Sequence, residues 1–222
     1  MTARRPSLLG PGGGLRFESL VLLAVPLFIA ALFIGKGAGA VTFSTGALCI
    51  IALRLVAPLL ILRWWLVGGL VAMFVDAIDV ILIEIIGLGG FGEHYAELDK
   101  ALDTYYLSLE LFVAFGWQNP WARIPTVALF AYRTVGVVLF EIIDARILLF
   151  IFPNMFENWW VYCVVVMKWF PRAVPKDWKT LVIPMVALLI PKMAQEYLLH
   201  YAEAEPWNWT KENVLSPLGI EI

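Results

Sequence analysis

The sequence predicts an all-α polytopic bundle of about seven membrane-spanning helices, six being the alternative, with a cytoplasmic N-terminus. The chain of 222 residues is 61% hydrophobic and 15% charged, whereas an ordinary soluble domain has about 25% charged residues. Its apolar residues form long blocks, most of which approach the roughly 20 residues that a helix needs to cross the hydrocarbon core. Because lipid offers the backbone no hydrogen bonds, helices are the favoured spanning elements.

The apolar blocks and the residues that interrupt them predict three regions. Residues 1–16 are a flexible tail, residues 17–200 are a single transmembrane domain, and residues 201–222 are a polar, Trp-containing tail outside the cytoplasm. The first apolar run could also be a signal peptide, but its length favours a retained helix. We expect helices at about 17–34, 44–62, 66–86, 93–116, 124–151, 154–170 and 178–200.

The end of the fifth predicted helix is ambiguous. The turn could lie at Asp144-Ala145-Arg146, or the helix could continue to Ile151 and break at Phe152-Pro153-Asn154. We favour the second break, because proline suits the first turn of a helix and Glu157 would then lie near a positive helix end. Kinks are expected in the last helix at Pro184 and Pro191.

The basic and tryptophan residues predict the orientation. With the N-terminus inside, the cytoplasmic segments hold Arg4, Arg5, Arg16, Arg63, Arg123, Lys168, Arg172, Lys176 and Lys179, whereas the opposite segments hold Lys36, Lys100, Lys211 and, depending on the break, Arg146. Tryptophans are expected at both interfaces: Trp64, Trp65, Trp117, Trp121, Trp169 and Trp178 inside, and Trp159, Trp160, Trp207 and Trp209 outside. The chain is therefore predicted to lie N-in and C-out in a plasma or bacterial inner membrane.

Several classes of function are disfavoured by composition. The net charge is −2 and no basic stripe is present, which argues against nucleic acid as a partner. His94 and His200 are the only histidines, so a haem or a histidine-based metal site is not expected. Cys49 and Cys163 lie inside apolar blocks and are interpreted as buried small side chains. The sequence identifies no cofactor.

The informative feature is a set of ionisable side chains at membrane depth. Each costs roughly 2.5–3.5 kcal/mol if it faces lipid, so these groups are expected to face the bundle interior. The candidate pathway residues are Asp76, Asp79, Asp103, Tyr106, Glu110 and Glu141, and the candidate counter-charges are Arg54, Arg133 and Lys192.

One stripe follows the fourth predicted helix. Asp99, Asp103, Tyr106 and Glu110 are spaced by four, three and four residues, which places them within about 60° on one face. The opposite side, with Ala101, Leu107 and Leu111, is expected to face lipid. Arg54 is expected to contact a carboxylate of the third, fourth or fifth helix.

Three functions are compatible with these patterns. The favoured one is a small proton- or cation-linked transporter or channel-like protein, because the carboxylates outnumber the central cations. The first alternative is a non-catalytic subunit of a larger membrane complex, with other subunits or a homo-oligomer as partners besides the lipid bilayer. The second is a Mg-dependent transferase for a lipid diphosphate, since Asp76-Ala77-Ile78-Asp79 is similar to the Asp-rich motifs of membrane prenyltransferases and alcohol phosphatidyltransferases. In that case Asp76 and Asp79 would hold the metal.

Overall fold

The computed structural model describes residues 17–35, 44–86, 95–202, 204 and 206–218. Across these ranges the chain is helical and contains no strand. The helices are α1 (Phe17–Gly35), α2 (Thr45–Val56, continued as a 3₁₀-helix over Ala57–Leu62), α3 (Trp65–Ile86), α4 (Tyr95–Phe115), α5 (Pro120–Ile143), α6 (Ile147–Ile151), α7 (Met155–Trp169), α8 (Trp178–Glu196, continued by a π turn over Tyr197–Tyr201) and α9 (Pro206–Thr210). The predicted tail over 1–16, the turn at Lys36 and the glycine-rich stretch 87–92 lie outside the described residues.

Five stretches are long and apolar enough to span a membrane: Thr45–Leu62, Trp65–Glu84, Pro120–Ile143, Ile147–Trp169 and Trp178–Leu199. The other two predicted spans are α1 and α4. The charged residues of α4, which include Asp99, Lys100, Asp103 and Glu110, keep it outside this set. Within the described ranges, five stretches are thus candidate membrane spans, and the count of seven spans stays a prediction.

The chain breaks twice after α5, which corrects the expected continuation of that helix to Ile151. Asp144 adopts a left-handed conformation (φ 57°, ψ 43°), and its N–H donates to the Phe140 carbonyl at 2.8 Å. A residue in this conformation ends a helix. The short α6 follows, and the second break at residues 152–154 leads into α7, which carries Glu157 in its first turn.

Helix α4 is the central helix of the bundle. It contacts α1, α2, α3, α5 and α7, and the apolar side that we expected to face lipid is buried instead. Ala101, Leu107 and Leu111 are 9%, 2% and 2% exposed. The expectation was wrong because neighbouring helices pack against both faces of α4, so that neither face is left to contact lipid.

The tryptophans divide between the core and the surface. Trp117, Trp159 and Trp160 are buried, which corrects their expected positions at the membrane interfaces. Trp160 donates from its indole N–H to the Glu110 carbonyl at 2.8 Å, so its polar atom has a partner inside the bundle. Trp64, Trp121, Trp169 and Trp178 are exposed, as an interfacial position requires.

Helix α8 lies at the periphery. Only 17% of the most apolar stretch within Trp178–Leu199 is buried, against 56% for Ile147–Trp169. Its N-terminus is fixed by a capping box in which the Asp177 carboxylate accepts from the Thr180 N–H at 2.9 Å. Hydrogen bonds from Thr180 hold the pKa of the Asp177 carboxyl below its ordinary value.

The two cysteines differ in their environment. Cys163 of α7 is buried as expected, whereas Cys49 of α2 is exposed, which corrects its interpretation as a buried side chain. Both thiols are free. An apolar block predicts that a helix enters the membrane, but not which of its faces is covered by protein.

Candidate functional site

Four aspartates from two helices converge on one guanidinium. Arg54 Nη1 donates to Asp79 at 2.5 Å and to Asp99 at 2.7 Å. Arg54 Nη2 donates to Asp103 at 2.7 Å and also to Asp76. A guanidinium suits this arrangement because its N–H donors form a rigid planar fork. We call Arg54, these four aspartates and the neighbouring Lys100 the Arg54 cluster.

Helix geometry explains why these residues meet. Arg54 lies in the last turn of α2, just before the 3₁₀ segment. Asp76 and Asp79 are three residues apart on α3, and Asp99 and Asp103 are four apart on α4, so each pair shares a helix face. The cluster is thus assembled at the crossing of α2, α3 and α4.

A second cation and a tyrosine complete the cluster. Lys100 Nζ contacts Asp99 at 2.6 Å and Asp103 at 3.3 Å. Tyr95 at the start of α4 donates its hydroxyl proton to Asp79 at 2.8 Å. Among the described residues, four carboxylates of the cluster therefore contact two cations, which leaves two negative charges in excess if every aspartate is ionised.

The cluster is buried on one side and reaches the molecular surface on the other. The side chains of Arg54 and Asp79 are 3% and 1% exposed. Asp99 is 13% exposed and Asp76 is 28% exposed. Asp76 is therefore the most exposed carboxylate of the cluster.

The sequence predicted part of this site. The expected contact of Arg54 with carboxylates of the third and fourth helices is confirmed. Lys100 was missed as a buried counter-charge, since its place near the start of a helix suggested a solvated loop. The signal was its spacing: Lys100 follows Asp99 and lies three residues before Asp103, so it can reach both.

The pairing of Asp76 with Asp79 as metal ligands stays a prediction. Asp79 is held by Arg54 and Tyr95. Within the described part of the chain, the group with the geometry to hold an ion is Asp76, Asp99 and Asp103, whose ligand oxygens lie within 4.8 Å of one another. The third helix supplies one of these ligands and the fourth supplies two.

The second half of the α4 stripe has a different character. Tyr106 is 2% exposed and donates to Glu157 Oε2 at 2.8 Å. Asn154 donates to the same oxygen at 2.7 Å. Glu110 is fully buried, and neither of its carboxyl oxygens has a hydrogen-bond partner among the described residues. All four stripe residues face the interior as predicted, but among the described residues only the first two, Asp99 and Asp103, form ion pairs with cations.

The remaining predicted residues lie outside the Arg54 cluster. Arg133 on α5 is buried and donates to the Phe152 carbonyl at 2.9 Å. Lys192 on α8 pairs with Glu196 of the same helix at 3.0 Å. Glu141 on α5 is 2% exposed. Of the three proposed counter-charges, Arg54 alone belongs to the cluster.

Five apolar helices and a charged cluster buried among them are the features of a multi-pass helical membrane protein. No protein-family model, curated protein or solved structure matches the chain.

Proposed function

We propose that this protein is a proton- or cation-linked membrane transporter in which the Arg54 cluster is the coupling site. The observation that carries the proposal is the charge imbalance: four buried or half-buried aspartates share two cations. Uncompensated charge is costly in a low-dielectric interior. Two bound protons or one divalent cation would neutralise the excess.

The chemistry of the cluster suits both kinds of cargo. Hard cations such as Mg²⁺ and Ca²⁺ take oxygen ligands, carboxylates foremost, and the oxygens of Asp76, Asp99 and Asp103 lie within 4.8 Å of one another. Closely spaced carboxylates also share protons readily. Arg54 would then act as a tethered counter-ion that holds the aspartates together when no cargo is bound.

The unequal exposure of the aspartates suggests the side from which cargo enters the cluster. Asp76 forms its more accessible edge and Asp79 its buried end. Cargo bound at Asp76, Asp99 and Asp103 would compete with Arg54 for the same oxygens. Weakening of the Arg54 contacts would loosen α2 from α3 and α4, which is the type of rearrangement that alternating access requires.

The remaining features of topology are part of the proposal. We place α1 and α4 as further spans, which gives seven, with the N-terminus in the cytoplasm and the C-terminus outside a plasma or bacterial inner membrane. The basic-residue asymmetry supports this orientation. Because α4 is covered by other helices, its charges would not face lipid. The orientation would be contradicted if a reporter that works only in the cytoplasm were active when fused to the C-terminus.

Flux measurements with purified protein in liposomes test the coupling role. An entrapped pH dye follows protons after an acid pulse, and an entrapped dye quenched by Mn²⁺ follows a divalent cation. We expect wild-type flux of at least one of them to exceed that of protein-free vesicles, and Asp103→Asn to abolish it. Glu84→Gln is the matched control, since Glu84 lies on α3 but pairs with Lys211 outside the cluster.

The result that rejects the transporter is equally clear. If folded wild-type protein moves neither probe faster than empty vesicles, or if folded Asp103→Asn moves them at the wild-type rate, the coupling role is wrong. A structural subunit would then be the better interpretation. The transferase has less support, because Arg54 and Tyr95 already bind Asp79 of the two-aspartate motif.

A further inference from the structure

Glu110 stands apart from every other acidic side chain described above. Its residue is 0% exposed, and neither carboxyl oxygen is hydrogen-bonded within the described ranges. Its surroundings are tight: a Cβ built on Gly69 of α3 would lie 3.1 Å from Glu110 Oε1 and 2.7 Å from the Trp160 ring of α7. The carboxyl is thus enclosed where α3, α4 and α7 meet.

An ionised carboxylate is not stable in such a position. Transfer of a bare charge into an apolar interior without hydrogen bonds is so costly that the group neutralises instead. Glu157 is an acidic neighbour within electrostatic range, so it adds repulsion and no compensation. Glu110 therefore holds a proton in this conformation.

A hydrogen bond that leads toward the surface begins one helical turn from Glu110, at Tyr106. Tyr106 precedes Glu110 by one helical turn on the same face. The Tyr106 hydroxyl donates to Glu157 Oε2 at 2.8 Å, and Glu157 is partly exposed. Glu157 has charged groups of other elements within electrostatic range, namely Lys192 of α8, Arg133 of α5 and Asp103 of α4.

We propose that Glu110 is a proton-binding site, separate from the Arg54 cluster, that exchanges its proton with solvent through Tyr106 and Glu157. A change of the Glu110 side-chain torsions brings its O–H to the Tyr106 oxygen. The Glu110 proton passes to that oxygen while the Tyr106 proton passes to the Glu157 carboxylate. Tyr106 stays neutral, Glu110 becomes a carboxylate, Glu157 becomes a neutral acid, and the total charge is unchanged.

This site goes beyond the coupling role of the Arg54 cluster and is tested without a transport substrate. Infrared spectra of the full-length protein in liposomes are recorded for the wild type and Glu110→Gln. At neutral pH the difference spectrum should contain the carbonyl band of a protonated carboxylic acid, lost in the variant. The band should shift on transfer to D₂O while the core helix amides remain unexchanged. Glu84→Gln should leave the band in place.

Two further variants separate exchange from mere burial. Glu110→Asp should keep a protonated-acid band, which shows that an acid and not a particular side-chain length is required. Tyr106→Phe should keep the band but slow its shift in D₂O severalfold, because the hydroxyl of the relay is gone.

Three results would overturn the proposal. Absence of the band from folded wild-type protein means that Glu110 is ionised. A band that does not shift in D₂O means a sealed structural acid. Exchange as fast in Tyr106→Phe as in the wild type means that the relay is wrong. None of these depends on whether Asp103→Asn stops flux, so the site and the transporter proposal can fail separately.

Discussion

The two halves of one face of α4 carry the same kind of side chain in opposite electrostatic states. Asp99 and Asp103 in the first half are bound by Arg54 and Lys100. Glu110 lies two turns further along, buried more deeply and without a cation or a hydrogen bond among the described residues. Burial alone therefore does not decide the charge of a carboxyl group; the neighbouring helices decide it.

The neighbours differ at the two positions. Helix α2 brings an arginine to the first half, whereas α3 brings Gly69 and α7 brings Trp160 to the second. The first half is held together by charge-assisted hydrogen bonds, which are roughly twice as strong as neutral ones. The second half is held by close packing, and it follows that the two halves should respond differently to neutral substitutions.

Removal of the shared cation should have the largest effect. Arg54→Met leaves four aspartates with only Lys100 among them, and loss of one partner from a buried ion pair costs about 3–5 kcal/mol. We expect the yield of folded protein to collapse, or the thermal midpoint in detergent to fall sharply, as measured by size-exclusion chromatography after heating. Arg63→Met is the control, because Arg63 is exposed beside Trp64. Equal stability of the two variants would mean that the cluster is not held by Arg54.

Neutral isosteres should separate the two halves of the stripe directly. Asp103→Asn weakens hydrogen bonds to both cations, each worth about 1.5–3 kcal/mol when charged, and should lower stability measurably. Glu110→Gln replaces a neutral acid by an amide of the same shape and should cost less than about 1.5 kcal/mol. Chemical unfolding of both variants in the same detergent gives the comparison. A loss for Glu110→Gln as large as that for Asp103→Asn would show that Glu110 is charged.

The smallest effect is expected where a carboxylate is paired at the surface. Glu84 at the end of α3 accepts from Trp207 and from Lys211 Nζ, the latter at 2.6 Å, and so fastens the segment around α9. Glu84→Gln should speed hydrogen exchange in residues 206–218 without altering the bundle, and added salt should reduce the difference, because exposed pairs are screened. Glu212→Gln, an exposed change in the same segment, is the control. Unchanged exchange would mean that Glu84 does not hold the segment.

Sequence patterns correctly predicted features that depend on a single helix or on the properties of a single side chain. Apolar blocks placed the helix ends within a few residues, except at the end of α5. The four-three-four spacing on α4 correctly predicted that its acidic residues share an inward face. The cost of a bare charge in lipid predicted partners for Arg54. These inferences succeed because a period or a transfer energy is a local property.

What failed depended on contacts between helices. The burial of Leu107 and Leu111 follows from the helices that cover α4, and the burial of Trp159 and Trp160 follows from their packing in the core. The helix end at Asp144 depends on a left-handed backbone conformation. Glycine usually occupies such a position, and here an aspartate does. Lys100 could have been found from its spacing. The surroundings of Glu110, which has no hydrogen-bond partner in the described part of the chain, could not have been predicted, because three helices together form them.

The 3₁₀ segment after Arg54 lengthens the apolar stretch that carries this residue. A 3₁₀-helix rises about 2.0 Å per residue against about 1.5 Å for an α-helix, so Thr45–Leu62 extends to about 30 Å instead of about 27 Å. That matches the thickness of a typical hydrocarbon core, and this short stretch can therefore reach both surfaces with little tilt. If the stretch crosses the bilayer, Arg54 would lie about 14 Å from its start, close to the midplane, which is the depth that the proposed coupling site requires.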